Sequence, residues 1–324
     1  MDFIDGLKEK VKQKGNMKIV YPDGEVDSCV KAVSILCEEG IITPVILGNE
    51  DKIKSLAKDL GVNIDGAEVI DPVKALNDDF IDTYVEYRKH KGMDKDKAKA
   101  TLEKVHFYGA MLVEKDHVAG MVGGLTSETK PFIPAFQIVK TKQGINRASS
   151  AFFMIKDEHV MIYSDCAMNM NPDVQTLAEI GASSGDTAKA FGLEPIIAFL
   201  SFSTNGTASD PLVDKVHDAT AIAKKLRPNY AIDGEMQFDA AILPNVAKKK
   251  WADSPVAGKA NVLIFPDLNA GNIGYKITER LGGYAAVGPI FQGLNKPVND
   301  LSRGSKPEDI ARSGYLTCVQ SMID

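Results

Sequence analysis

The sequence is short of cysteine, of histidine and of long apolar runs, and each shortage removes a class of protein. Its four cysteines, at positions 29, 37, 166 and 318, include no C-x-x-C pair. That pattern gives no disulfide frame and points to free thiols in a reducing cytosol. The five histidines, at 90, 106, 117, 159 and 217, lack the spacing of zinc ligands. They read as surface or helix-end residues, and no metal site is expected. No apolar run approaches the ~18 residues that would span a bilayer. The opening MDFIDGLKEKVKQKG lacks the apolar core and small-residue cleavage site of a signal peptide. Its Phe3, Ile4, Leu7 and Val11 mark a short amphipathic helix instead. A cytosolic protein is the expectation.

Two nucleotide signatures are missing as well. There is no G-x-x-x-x-G-K-[ST] loop to cradle a triphosphate, and no G-x-G-x-x-G after the first strand. A net charge of −6 argues against a nucleic-acid partner, whose affinity rests on dense positive charge. A local basic cleft for an anionic metabolite stays compatible with it. Neither a low-complexity linker nor a short internal repeat interrupts the chain.

What is present is an ordinary globular composition, 44% hydrophobic and 25% charged, over 324 residues. At about 150 residues per domain this gives two domains. Strands are predicted at 17–22, 43–48 and 67–72, with helices at 50–60, 74–90 and 94–105 and helical spacing of Val26, Val30 and Val33. Such alternation predicts α/β architecture, with a mainly parallel sheet covered on both faces. The pattern weakens into apolar and glycine-rich pieces over 107–135. A second series follows, with strands predicted at 136–141, 151–156, 159–164, 195–200, 230–236, 261–266 and 284–290. Its helices fall at about 173–191 and 211–226, and a final helix at 306–322 is expected to return to the first domain.

Several stretches carry possible chemistry. Gly181-Ala182-Ser183-Ser184-Gly185 matches a nucleophile elbow, but that motif needs a strand before the serine. Here LAEI precedes and DTAKAF follows, so small residues for close helix packing explain it better. Arg88 closes a predicted helix in YRKHKGM, where basic side chains complement the helix dipole and can equally hold an anion. Ser201, Ser203 and Thr204, in SFSTNGTAS, follow a buried strand at the edge where α/β folds bind ligands. Their hydroxyls could hold a phosphate or solvate a turn. Cys166, at a strand end beside Asp165, reads as packing rather than nucleophile.

The stretch Gly288–Asp309, GPIFQGLNKPVNDLSRGSKPED, outranks these. It follows Tyr284-Ala285-Ala286-Val287, a predicted short buried strand, and its glycines, prolines and asparagines predict tight turns rather than periodic structure. Ser302, Arg303 and Gly304 then precede a helix, with Ser305 and Glu308 at capping-box spacing and Asp309 in the first turn. A guanidinium fork beside a helix N-terminus makes an anion site, here with a carboxylate next to it.

This stretch resembles the C-terminal signature of phosphate acetyltransferases (phosphotransacetylases) almost residue for residue. The likeness runs over nearly the full chain. YPDGE, YRKHKGM, FQIVKT, DCAMN, SFSTNGTAS, DGEMQFDAA and FPDLNAGNIGYKI all occur in the family's order. The resemblance implies reversible acetyl transfer, acetyl-CoA + phosphate ⇌ acetyl phosphate + CoA, with coenzyme A as a substrate and no cofactor. It implies two α/β domains with the active site in their cleft, related to the isocitrate and isopropylmalate dehydrogenase architecture. The first domain would comprise 1–140 and 297–324 and the second 141–296, in a homodimer. Ser302, Arg303 and Asp309 match the family's catalytic serine, arginine and aspartate, and Arg88 an arginine of the substrate cleft. Cys166 matches a family cysteine that is not required as a nucleophile. One departure stands out: Ile133 in PFIPAFQ occupies the place of an arginine, leaving Lys130 as the nearest substitute in sequence. A smaller one is Ser28-Cys29, where the family tends to carry charge.

The expected mechanism is direct attack of the CoA thiol on acetyl phosphate, with Asp309 taking the proton and Arg303 as its charged neighbour. Two alternatives accompany it: a propionyl or butyryl transferase, and a non-catalytic CoA or acetyl-phosphate binding protein, motivated by Ile133.

Overall fold

The computed structural model describes residues 3–126, 132–301 and 303–322, so Lys130 and Ser302 lie outside the described residues. The chain divides into two compact units. Unit 1 holds Phe3–Lys142 together with Leu294–Asp324, and unit 2 holds Gln143–Gly293.

Unit 1 is built on a five-stranded sheet of β1 (Lys18–Tyr21), β2 (Thr43–Leu47), β3 (Glu68–Ile70), β4 (Gly120–Gly123) and β11 (Val298–Asp300). Their order is β11-β4-β1-β2-β3 and every pairing is parallel. Strands such as KIVY and TPVIL are apolar at consecutive positions because helices cover both faces of a parallel sheet. The N-terminal helix Phe3–Lys14 buries Leu7 and Val11, as its spacing predicts. The described part of the apolar and glycine-rich region after 107 contains a helix, Val105–Glu114, and β4. That helix is apolar almost all round, with His106 to Val113 buried, so it shows no amphipathic period to read.

Three expectations fail in this unit. The segment predicted as a strand at 136–141 is a single π-turn, Ala135–Val139, closed by Lys140 N–H donating to Ala135 O at 2.8 Å. Pro134 starts it in right-handed helical geometry, and the buried positions 135, 138 and 139 keep helical spacing despite the β-branched residues. The stretch 288–309 is less irregular than its turn residues imply, since it contains β11 and the end of a strand of unit 2, Ala285–Gln292. The capping box also fails. The final helix, Pro307–Gln320, has Lys306 as N-cap with no side-chain cap, because Pro307 at the first position sets the start. Ser305 therefore falls one residue too early. Asp309 does sit in the first turn.

Unit 2 carries a six-stranded sheet of β5 (Ser149–Lys156), β6 (His159–Ser164), β7 (Ile196–Leu200), β8 (Ala231–Met236), β9 (Val262–Ile264) and β10 (Ala285–Gln292), in the order β10-β5-β6-β9-β7-β8. β10, β5 and β6 pair antiparallel and the remaining pairs are parallel. β10 is an edge strand whose first half is exposed to half-buried. The apolar run 284–287 is thus not a buried strand, and burial begins at Ile290.

The helix Val174–Ala190 is continuous through Gly181–Gly185, which removes the nucleophile elbow. A Cβ on Gly181 would lie 2.2 Å from Phe199 Cζ, so the small residues let this helix sit against β7. Gly181→Ala is expected to destabilise unit 2 by about 1–3 kcal/mol through overpacking. A urea midpoint equal to that of the parent protein would contradict this. Gln292, within the signature stretch, is also structural. It accepts from Thr187 Oγ1 at 2.8 Å, and its Nε2 lies 2.9–3.1 Å from the hydroxyls of Ser149, Ser164 and Ser184.

Candidate active site

In a parallel sheet ligands gather at the carboxyl ends of the strands. In unit 1 the exits of β1, β4 and β11 lie side by side there. Arg303 follows β11 on an exposed turn, and Asp309 lies in the first turn of the next helix. The Asp309 side chain is 54% exposed and pairs with Arg312 Nη1 at 3.2 Å. An i,i+3 pair on one helix brings charges together locally, so Arg312 is one charged neighbour of this carboxylate.

Arg88 ends the helix Asp78–Arg88, which Asn77 caps by accepting from Phe80 N–H at 3.0 Å. Its Nε is buried with no hydrogen-bond partner among the described residues. A donor left in that state costs roughly 1–3 kcal/mol, which complementing a helix dipole does not require. Around it, Tyr84 Oη donates to Gln137 Oε1 of the π-turn at 2.6 Å, and Tyr87 Oη donates to Glu114 Oε1 at 2.6 Å. Burial pushes the Tyr84 phenol up, against the opposing charge of Arg88. The Glu114 bond holds the Tyr87 phenol up at about 12. Both phenols stay neutral hydrogen-bond donors, and Tyr84 is the one close enough to feel the charge of Arg88. Ile133, where the resemblance leads one to expect an arginine, is 45% exposed and carries no charge.

Sequence reasoning missed a buried acid at the same sheet edge. Asp23, in the turn after β1, is 4% exposed. Its Oδ2 accepts from Gly124 N–H at 2.8 Å and Leu125 N–H at 3.1 Å, and its Oδ1 accepts from Thr126 Oγ1 at 2.9 Å. His106 Nε2 lies 3.3 Å from Oδ1, within ion-pair range but without hydrogen-bond alignment. Burial alone would raise the Asp23 carboxyl. The His106 ring and the Leu125 and Gly124 N–H groups outweigh it and hold the carboxyl below its ordinary value. His106 is a helix-end residue, at the second position of the helix Val105–Glu114, but at 3% exposed it is not a surface one. The signal was present in YPDGE, where an acid directly follows the first strand.

In unit 2 the loop after β7 closes around another buried acid. Glu235 Oε1 accepts from Ser203 Oγ at 3.0 Å and from Gly206 N–H at 2.7 Å, while its main-chain O accepts from Asn205 N–H at 3.1 Å. Ser203 Oγ also accepts from Ala208 N–H at 3.1 Å. Thr204 Oγ1 accepts from Gln237 N–H at 2.9 Å. Ser203 and Thr204 are fully buried and their hydroxyls are spent inside the loop; Ser201 is half-buried. Cys166 lies in the apolar core, where burial and then Asp165 push its thiol well up. A thiol kept protonated in that way is a poor nucleophile.

The family model described as "Phosphate acetyl/butaryl transferase" matches residues 2–318. A phosphate acetyltransferase of Bacillus subtilis (strain 168) is 44% identical over 323 residues, covering 99% of each chain. An EutD phosphotransacetylase from Staphylococcus aureus superposes with a TM-score of 0.94 at 44% identity, over 99% of this chain and 98% of that one. A phosphotransacetylase from Streptococcus pyogenes gives 0.94 at 45% identity with the same coverage. On this match and these full-length identities, the chain belongs to the phosphate acetyl/butaryl transferase family.

Proposed function

We propose that the protein is a phosphate acetyltransferase, moving an acetyl group reversibly between coenzyme A and inorganic phosphate. The observation that carries this is the buried Nε of Arg88, without a hydrogen-bond partner among the described residues, a donor that an anionic phosphate would satisfy. Full-length identity of 44–45% to proteins named phosphate acetyltransferase supports the same reading.

In the direction of acetyl-CoA formation, the CoA sulfur bonds to the carbonyl carbon of acetyl phosphate. The bond from that carbon to the phosphate oxygen breaks, phosphate leaves, and the thiol proton passes to Asp309. Arg88 and Arg303 hold the phosphate and lower the charge cost of its departure. Ser302, in this proposal, donates to the developing oxyanion. Lys130 assists on the phosphate side in place of the arginine that Ile133 lacks. Ser203 and Thr204 act from within by shaping the loop that presents Ser201 to substrate. No cofactor is required by this chemistry.

Full proton transfer from a thiol near pKa 8.5 to an aspartate near 3.9 is uphill by roughly 6 kcal/mol. Proton movement is therefore concerted with attack, or Asp309 chiefly orients the thiol. A cytoplasmic homodimer is part of the proposal. Among the described residues no helix is long and apolar enough to cross a membrane. The helix Leu268–Arg280 leaves Ile273 and Ile277 exposed four residues apart, with Leu281 four beyond, a face suited to a second copy.

The test is CoA-dependent consumption of acetyl, propionyl and butyryl phosphate. Acetyl phosphate is expected to give the highest kcat/KM. Preference for a longer chain would move the assignment within the family, and binding without turnover would support the non-catalytic alternative.

A further inference from the structure

The strap between Asp23 and the turn after β4 has no part in the chemistry above, yet it sits at the strand edge that carries Arg303. Asp23 fixes Gly124, Leu125 and Thr126 through three hydrogen bonds of 2.8–3.1 Å. That turn is in turn locked to the exit of β11. Leu301 N–H donates to Gly123 O at 2.7 Å. Gly124 adopts φ +111°, and a Cβ there would fall 2.0 Å from Asp300 Oδ1 and 3.1 Å from Leu301 N. The two exits are in direct contact, joined by that hydrogen bond and packed too closely for a side chain at Gly124. Arg303 follows Asp300 by three residues.

We infer that Asp23 is a positioning residue for Arg303, acting through the Gly124–Thr126 turn, and that it thereby sets the enzyme's hold on phosphate. The inference rests on the phosphate acetyltransferase reading. A carboxylate is the group suited to this task. It accepts from two main-chain N–H groups and a hydroxyl at once, and charged acceptors make the shorter and stronger bonds. Burying it beside His106 costs free energy that an apolar side chain would not, so filling space alone does not explain the choice.

Asp23→Asn replaces one acceptor oxygen with an N–H₂ group that faces donors. Thr126→Val removes a single bond from an exposed residue and is compatible with folding. Both are assayed with the parent protein in the direction of acetyl phosphate synthesis. The KM for phosphate is expected to rise about tenfold in Asp23→Asn and about threefold in Thr126→Val, with the KM for acetyl-CoA little changed, as coupling through shared contacts predicts. Arg303→Ala provides the control. In that background Asp23→Asn is expected to add no further loss, read as the phosphate-induced rise in Tm so that an inactive variant still reports.

Parent-like phosphate KM in a folded Asp23→Asn, or an equal loss with and without Arg303, would overturn the inference. A loss of Tm alone, without a change in phosphate KM, would also overturn it by reducing Asp23 to a structural strap. If Asp23→Asn does not fold, Thr126→Val decides the question by the same two readouts. Failure of the parent protein to make acetyl phosphate sinks the functional reading instead, and leaves the phosphate-induced Tm shift as a separate measure of Asp23.

Discussion

Asp309→Ala is expected to lower turnover by about 10²–10⁴-fold, the range of a lost general base, while CoA affinity stays close to that of the parent. The effect can be separated from any loss of stability. The Asp309–Arg312 pair is exposed, so its removal costs ~0–1 kcal/mol, with a similar amount for an acid in the first turn of a helix. Single-turnover rates and CoA binding by calorimetry, measured on one preparation, distinguish the two. Turnover within about tenfold of the parent falls below general-base magnitudes and would remove Asp309 as the proton acceptor. Asp309→Asn sharpens the comparison, since it can still accept a hydrogen bond but is not a base.

The second large effect belongs to the arginines. Arg88→Ala is expected to reduce kcat/KM for phosphate by about 10²–10³-fold, the magnitude of losing one donor aimed at developing charge. Arg88→Lys should recover little of it. Lysine is a point charge without the planar fork, and only a guanidinium has the Nε that is buried here without a partner among the described residues. In the proposed site the uncharged Ile133 leaves the phosphate to Arg88, Arg303 and Lys130. Initial rates against phosphate concentration measure this. A loss of only a few-fold in Arg88→Ala would show that the anion is held elsewhere.

The sequence made the α/β alternation readable because buried parallel strands are apolar at consecutive positions and their helices are amphipathic. It failed where that contrast disappears. The helix Val105–Glu114 is buried on every side and so has no period to detect. The π-turn Ala135–Val139 carries β-branched residues typical of a strand. β11 hides in a run of turn-forming residues because three residues are enough to complete a parallel pairing with β4. At the site, Arg88 and the Asp309 helix could be located from local spacing. The Asp23 strap could not, because it joins residues about a hundred positions apart. The loop 201–208 likewise reads as a free polar turn until Glu235 is seen at its centre.

The chain order of unit 1 has a consequence for how the protein is made. Its sheet starts at Lys18, yet β11 and the final helix, which packs against β4 and the helix Asp27–Glu39, are translated only after the whole of unit 2. On the ribosome unit 2 has all of its strands while unit 1 still presents β4 as an unpaired edge. That exposed edge must then wait through about 170 residues of synthesis, or roughly 10–30 s at cellular rates. The segment that covers it is also the one that delivers Arg303 and Asp309. If these residues act as proposed, catalytic competence awaits the closing of unit 1, and a nascent chain stalled before β11 is open to strand addition by another chain.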